Sequence, residues 1–164
     1  MEMSKLNLVR KGKSLREAAP TPTSSVAAPV LVVPEPSNDE QKDHFKTHDG
    51  KKYAGDHLII DLWEATNLDK REVIEQAMIE AIEAAGATLL HIYLHTFGDG
   101  GGISGVAVLA ESHISVHTWP ETGYAAFDVF MCGDANPRAT LPIFKAAFKP
   151  GRIVIGGHKR GVME

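Results

Sequence analysis

Ile103-Ser104-Gly105-Val106-Ala107-Val108-Leu109-Ala110-Glu111-Ser112-His113-Ile114-Ser115-Val116-His117 is the stretch on which the reading of the chain turns. Its first half is small and apolar, with Ile103, Val106, Val108 and Leu109. Two polar side chains, Glu111 and Ser112, then interrupt it. Beyond them Ile114 and Val116 alternate with Ser115 and His117, the period of a half-buried strand. The stretch reads as two strands meeting at a polar step. Strand pairing does not require a carboxylate and a hydroxyl side by side at such a step. A serine directly after a carboxylate, with His113 and His117 nearby, is a candidate for acyl chemistry at the backbone. That chemistry needs an oxygen nucleophile, a base and donors that hold an oxyanion. The oxygen and the base are present; the oxyanion donors cannot be read from sequence. An ordinary polar strand serine is the plainer alternative.

Upstream, His57-Leu58-Ile59-Ile60-Asp61-Leu62-Trp63 reads as a strand, with Leu58, Ile60 and Leu62 on one face. Asp69 is then expected to cap a helix, with Glu72 completing a capping box. Val73, Ile74, Ala77, Met78, Ala81, Ile82 and Ala85 follow helical spacing, and Gly86 is placed to end that helix. Thr88–Phe97 is a second strand, with Leu90, Ile92 and Leu94 facing one way and His91, Tyr93 and His95 the other. Gly98-Asp99-Gly100-Gly101-Gly102 reverses the chain. It lacks the Lys-Ser/Thr ending of a phosphate-cradling nucleotide loop, so a flexible hairpin connection is expected. Downstream, Tyr124–Met131 is a strand, and Asn136-Pro137 caps a helix reaching about Phe148, with Pro142 inside it. Arg152-Ile153-Val154-Ile155 is a last strand. Several strands and two helices around one core predict an α+β fold: a two-layer sandwich, its antiparallel sheet carrying two main helices on one face.

The chain has 164 residues, is 43% hydrophobic and carries a formal net charge of -4. One compact domain is expected, and nothing suggests a nucleic-acid partner. Residues 1–50 read as a disordered tail and linker, because five of the nine prolines lie there among Ser, Thr and Ala. The polar segment from Asp39 to Lys52 belongs to the same linker, and the folded domain is placed at 51–164. A single cysteine, Cys132, excludes an intrachain disulfide framework and suits a reducing, cytoplasmic setting. No apolar run approaches the roughly 20 residues that span a bilayer. The basic N-terminus, with Lys5, Arg10, Lys11 and Lys13, has no apolar core after it, which argues against a secretory signal.

Glu111-Ser112-His113-Ile114-Ser115-Val116-His117-Thr118-Trp119-Pro120-Glu121, with Gly123-Tyr124-Ala125-Ala126-Phe127-Asp128-Val129-Phe130 and Cys132-Gly133, closely resembles the bacterial S-adenosylmethionine decarboxylases. These are small pyruvoyl-dependent enzymes of spermidine synthesis. The resemblance extends through Ile103-Ser104-Gly105-Val106 and covers roughly residues 55 to 160. It implies a proenzyme cut between Glu111 and Ser112 into chains 1–111 and 112–164. Ser112 would become the pyruvoyl group that forms the Schiff base with substrate. The resemblance also implies His117 as the processing base, Ser104 as a processing aid and Cys132 as the proton donor after carbon dioxide leaves. Glu121 would hold the ribose diol and Phe97 would stack on adenine, with Trp119 beside them. Dimeric pairing is implied as well. One geometric condition accompanies these roles. Ser112 and His117 lie an odd number of residues apart, so a straight strand points them to opposite faces. Either the chain bends near Ser112, or the target is its strained backbone. The loop before Ser104 departs from relatives: it holds one extra residue and glycines where they carry larger side chains.

Other readings stay open at this level. A pyruvoyl enzyme could act on a basic amino acid such as arginine or ornithine. His91/His95 and His113/His117 each share a strand face, and four imidazoles could hold zinc. The domain could also be a non-catalytic sandwich. Taken singly, Cys132 could be buried packing and Glu121 a solvated loop residue.

Overall fold

In the computed structural model the described residues are 44–163, and they lie in one compact unit. The expected tail falls outside them up to residue 43. Its last part differs from expectation: Lys46–His48 (β1) and Lys51–Tyr53 (β2) form an antiparallel hairpin rather than linker. Asp49 and Gly50 sit at the turn with φ of 51° and 73°. Asp-Gly is favoured there because both central residues of a tight hairpin turn need positive φ. Lys46 anchors the hairpin, its Nζ donating to Asp56 at 3.0 Å and to the Ala135 carbonyl at 2.6 Å.

The main sheet comprises β3 (Gly55–Trp63), β4 (Leu89–Thr96), β5 (Ile103–Leu109), β6 (Ser112–Trp119), β7 (Tyr124–Met131) and β8 (Arg152–Arg160). Its order is β4-β5-β6-β7-β3-β8, and every pair is antiparallel. One face is apolar by strict alternation: Leu58, Ile60 and Leu62 on β3, Ile114 and Val116 on β6, Phe127 and Val129 on β7 are all buried. Two helices, α1 (Arg71–Ala84) and α2 (Thr140–Phe148), cover that face. α1 contributes Ile74, Ala77, Met78, Ala81 and Ile82. α2 contributes Phe144 and Phe148, whose rings meet Phe127 at 4.3 and 5.5 Å. The architecture is the expected two-layer α+β sandwich.

Three local details differ from expectation or refine it. α1 starts one residue later than a capping box at Asp69 requires: the N-cap is Lys70 and no side chain caps it. Glu72 is thereby second rather than third in the helix, out of register for the reciprocal bond. The other end behaves as expected. Gly86 takes φ 70° while Gly86 N–H and Ala87 N–H reach back to the Glu83 and Ile82 carbonyls, the paired bonds of a glycine-terminated helix. On β4, the register slips between Leu89 and His91, so Leu90 bulges out and is 50% exposed while Leu89 packs on the core. An extra residue in one strand reverses the alternation beyond it. Pro142 falls in the first turn of α2, after a 3-10 turn at Pro137–Ala139 that Asn136 caps through the Arg138 N–H. In that turn the missing N–H has no helical carbonyl to bond.

Candidate active site

The face of the sheet away from the helices carries the polar side chains. His57, Ser115 and Asp128 are linked at its middle; the residues that bear on the expected chemistry form two groups, one at each end of β6.

Ser112 opens β6 after a tight turn formed by Ala110 and Glu111, paired with Leu109 on one side and Met131 on the other. Its φ is 139°, a conformation that a residue with a Cβ adopts only under constraint. Such a position costs of order 1–3 kcal/mol and persists only where its surroundings enforce it. The surroundings here are specific. The Glu111 carbonyl, one bond from the Ser112 nitrogen, accepts from the Cys132 N–H at 3.0 Å. The Glu111 carboxylate accepts from the Thr88 N–H at 2.8 Å and the Thr88 hydroxyl at 3.2 Å. Ala110 N–H donates to the Thr88 carbonyl at 3.0 Å. Cys132, just beyond β7, is a free, partly buried thiol next to this turn.

The second group lies where β4, β5 and β6 end together. Ser104 faces His117 across the strands, and Ser104 Oγ is 2.8 Å from His117 Nδ1. Phe97, Gly102, Ser104, Thr118, Trp119 and Glu121 line a cleft of about 360 Å³. Glu121 is carried by a single 3-10 turn, Pro120–Thr122, closed by Gly123 at φ 64°. Phe97 and Trp119 are 58% and 42% exposed, so both rings offer free faces to a ligand. Behind them Trp119 stacks on Tyr124 at 5.2 Å, and Tyr124 in turn on Trp63 at 4.4 Å. The Tyr124 hydroxyl donates to Asp61 at 2.6 Å. That bond first, then burial, pushes its pKa up to about 12.

Thr118 is the residue of this region that sequence reading passed over. Although polar, it is buried. Its hydroxyl donates to the Leu68 carbonyl at 2.7 Å and accepts from the Ile103 N–H at 2.8 Å. It thus ties β5, β6 and the segment before α1 together beneath the cleft. A polar residue at an inward position of an alternating strand was the available signal. Thr88 was also missed, and no sequence pattern links it to Glu111.

The structure brings Ser104 and His117 together, gathers Phe97, Trp119 and Glu121 around them, and separately gathers Glu111, Ser112 and Cys132. It does not bring Ser112 to His117. The backbone at Ser112 is strained, with φ 139°, but five residues of extended strand still separate the two by roughly 16 Å. The zinc arrangement is absent for a similar reason. His91 and His113 flank Val108, and His95 and His117 flank Ser104, so each pair is two strands apart, on the order of 9.5 Å. Among the described residues no three His, Cys, Asp or Glu side chains converge as metal ligands. None of the described helices is long and apolar enough to cross a membrane.

Fold and site define an antiparallel α+β sandwich with a constrained hairpin serine and a serine–histidine pair on its open face. The family model for S-adenosylmethionine decarboxylase matches residues 56–161, and the chain belongs to that family. It is 42% identical over 113 residues to an S-adenosylmethionine decarboxylase proenzyme of Thermomicrobium roseum, covering 68% of this chain and 97% of that one. A proenzyme of the same name from Methanococcus maripaludis is 47% identical over 116 residues, covering 69% and 94%. The crystal structure of the adenosylmethionine decarboxylase from Aquifex aeolicus is similar with a TM-score of 0.61 at 33% identity, covering 68% of this chain and 94% of that chain.

Proposed function

We propose that the chain cuts itself between Glu111 and Ser112, and that the resulting pyruvoyl enzyme decarboxylates S-adenosylmethionine as a homodimer. The observation that carries this reading is the Glu111 carbonyl, held by the Cys132 N–H beside a serine at φ 139°. Ser112 Oγ attacks the Glu111 carbonyl carbon, and the oxyanion forms against the Cys132 N–H, a backbone donor already aimed at that oxygen. Collapse breaks the carbon–nitrogen bond and leaves an ester, so the strained φ no longer lies within an amide. A base then takes the Ser112 α-proton, the Cβ–O bond breaks, and Glu111 departs as a carboxylate. The dehydroalanine left at position 112 becomes an imine and hydrolyses to the pyruvoyl ketone, releasing ammonia.

The base assigned to the elimination is His117, with Ser104 fixing its ring through Nδ1. At roughly 16 Å within one chain, His117 is far outside proton-transfer reach of Ser112. His117, Ser104 and the cleft therefore come from the partner copy, docked across the open sheet face. In that arrangement Phe97 and Trp119 offer stacking faces to adenine, and Glu121 offers two acceptors to the ribose diol. The pyruvoyl ketone supplies the electron sink that lets the substrate carboxylate leave as carbon dioxide. Cys132, beside Ser112, delivers the proton to the substrate α-carbon.

Intact mass and denaturing gels of purified protein test this. Two fragments are expected, the one beginning at residue 112 blocked to N-terminal sequencing, while Ser112→Ala remains whole. A wild-type chain that stays intact through long incubation refutes self-cleavage. A cleaved chain that decarboxylates arginine or ornithine but not S-adenosylmethionine refutes the substrate.

A further inference from the structure

His95 takes no part in the chemistry above, yet its place is specific. It pairs with Ser104 across β4 and β5, and Ser104 pairs with His117 across β5 and β6. The three side chains form one row across adjacent strands, spaced about 4.8 Å apart. The His95 ring also meets Phe97 edge to face, with centroids 4.7 Å apart and planes at 77°.

Phe97 needs such a support. Its ring is 58% exposed. The loop after it is glycine at 98, 100, 101 and 102, so it offers almost no side chain to pack the ring. The loop does fix the backbone: Phe97 N–H donates to the Gly102 carbonyl at 2.9 Å, and a Cβ at Gly101 would collide with the Phe97 carbonyl. Among the described residues, His95 is the one ring that touches Phe97. An exposed aromatic on a fixed backbone still has more than one staggered χ1 open to it, and a side-chain neighbour selects among them.

We propose that His95 is a positioning residue for substrate: it holds the Phe97 ring upright at the cleft wall and so sets the affinity for the adenine base. This rests on the reading of the cleft as the substrate site. His95 is not among the residues that line the cleft, which makes it a support and not a contact.

The test uses the full-length, cleaved protein. His95→Ala is expected to self-cleave at the wild-type rate and to keep kcat within about twofold. KM for S-adenosylmethionine, and Kd for 5′-methylthioadenosine, which has the base without the carboxylate, should each rise by about 2- to 12-fold, the scale of one aromatic pair. His95→Phe, which keeps an edge for the contact, should restore both. In a Phe97→Ala background, His95→Ala should add nothing further. If Phe97→Ala weakens binding and His95→Ala does not, the inference is wrong and the cleft assignment stands. If His95→Ala blocks self-cleavage, His95 belongs to processing and the inference is again wrong. If Phe97→Ala leaves both constants unchanged, the cleft assignment and the inference fall together.

Discussion

Two inactive variants should restore one another when they share a dimer. Ser112→Ala has no attacking oxygen, and His117→Ala has no base, so each homodimer stays uncut. The separation of roughly 16 Å along β6 puts the two groups of one chain out of reach of each other. In a heterodimer of the two variants, one site joins an intact Ser112 from the His117→Ala chain to an intact His117 from the Ser112→Ala chain. The other site has neither. Random pairing of equal amounts puts about half of all chains in heterodimers, given a two-fold interface that makes both sites alike. About half of the His117→Ala chains should then be cut, and about a quarter of wild-type sites should be active. The assay is co-expression of the two chains with different affinity tags, followed by a denaturing gel that distinguishes them. The Ser112→Ala chain should never be cut. Cleavage of the His117→Ala chain no greater than when it is expressed alone would refute the composite site.

Cys132→Ala should still self-cleave, because the donor to the Glu111 carbonyl is the backbone N–H and alanine keeps it; turnover should fall by about 10²–10⁴-fold in a decarboxylation assay. Full activity of that variant would remove the thiol from the reaction. Thr118→Val leaves the Ile103 N–H without its acceptor and the Leu68 carbonyl without its donor, and urea melts should show a loss of about 1–3 kcal/mol. Tyr124 titrates near 10 in the unfolded chain and at about 12 in the folded one. The unfolded state therefore loses this proton first, and stability falls as pH rises from about 10 to 12. The difference in stability between wild type and Tyr124→Phe should shrink across that window and stay constant below it; a constant difference throughout would contradict the Tyr124–Asp61 bond.

Much of the sheet could be read in advance because its strands alternate cleanly. Ile114 and Val116 against Ser115 and His117 gave the inner and outer faces of β6, and Gly86 the end of α1. Leu90 could not be placed, since a bulge shifts the period by one without marking the sequence. The β1–β2 hairpin was readable at Asp49-Gly50, but its polar surroundings resemble a linker. At the site, the residue types were visible and their grouping was not. The donor to the Glu111 carbonyl comes from Cys132, 21 positions away, and only the β6–β7 register makes them neighbours. The mismatch of Ser112 and His117 was visible in their odd spacing along one strand, but the two separate clusters they join were not.

The strand order has a consequence for the life history of the molecule. A cut at Glu111–Ser112 leaves β3, β4 and β5 on one fragment and β6, β7 and β8 on the other. In the sheet these do not separate into halves: β3 lies between β7 and β8. The fragments are interlaced, and the nick frees neither of them. Folding, however, was carried out by one covalent chain. After such a cut, refolding from a melted state would become a meeting of two molecules, dependent on concentration. Self-cleavage at that bond would make maturation a one-way passage, and the cut form would persist by the slowness of its unfolding.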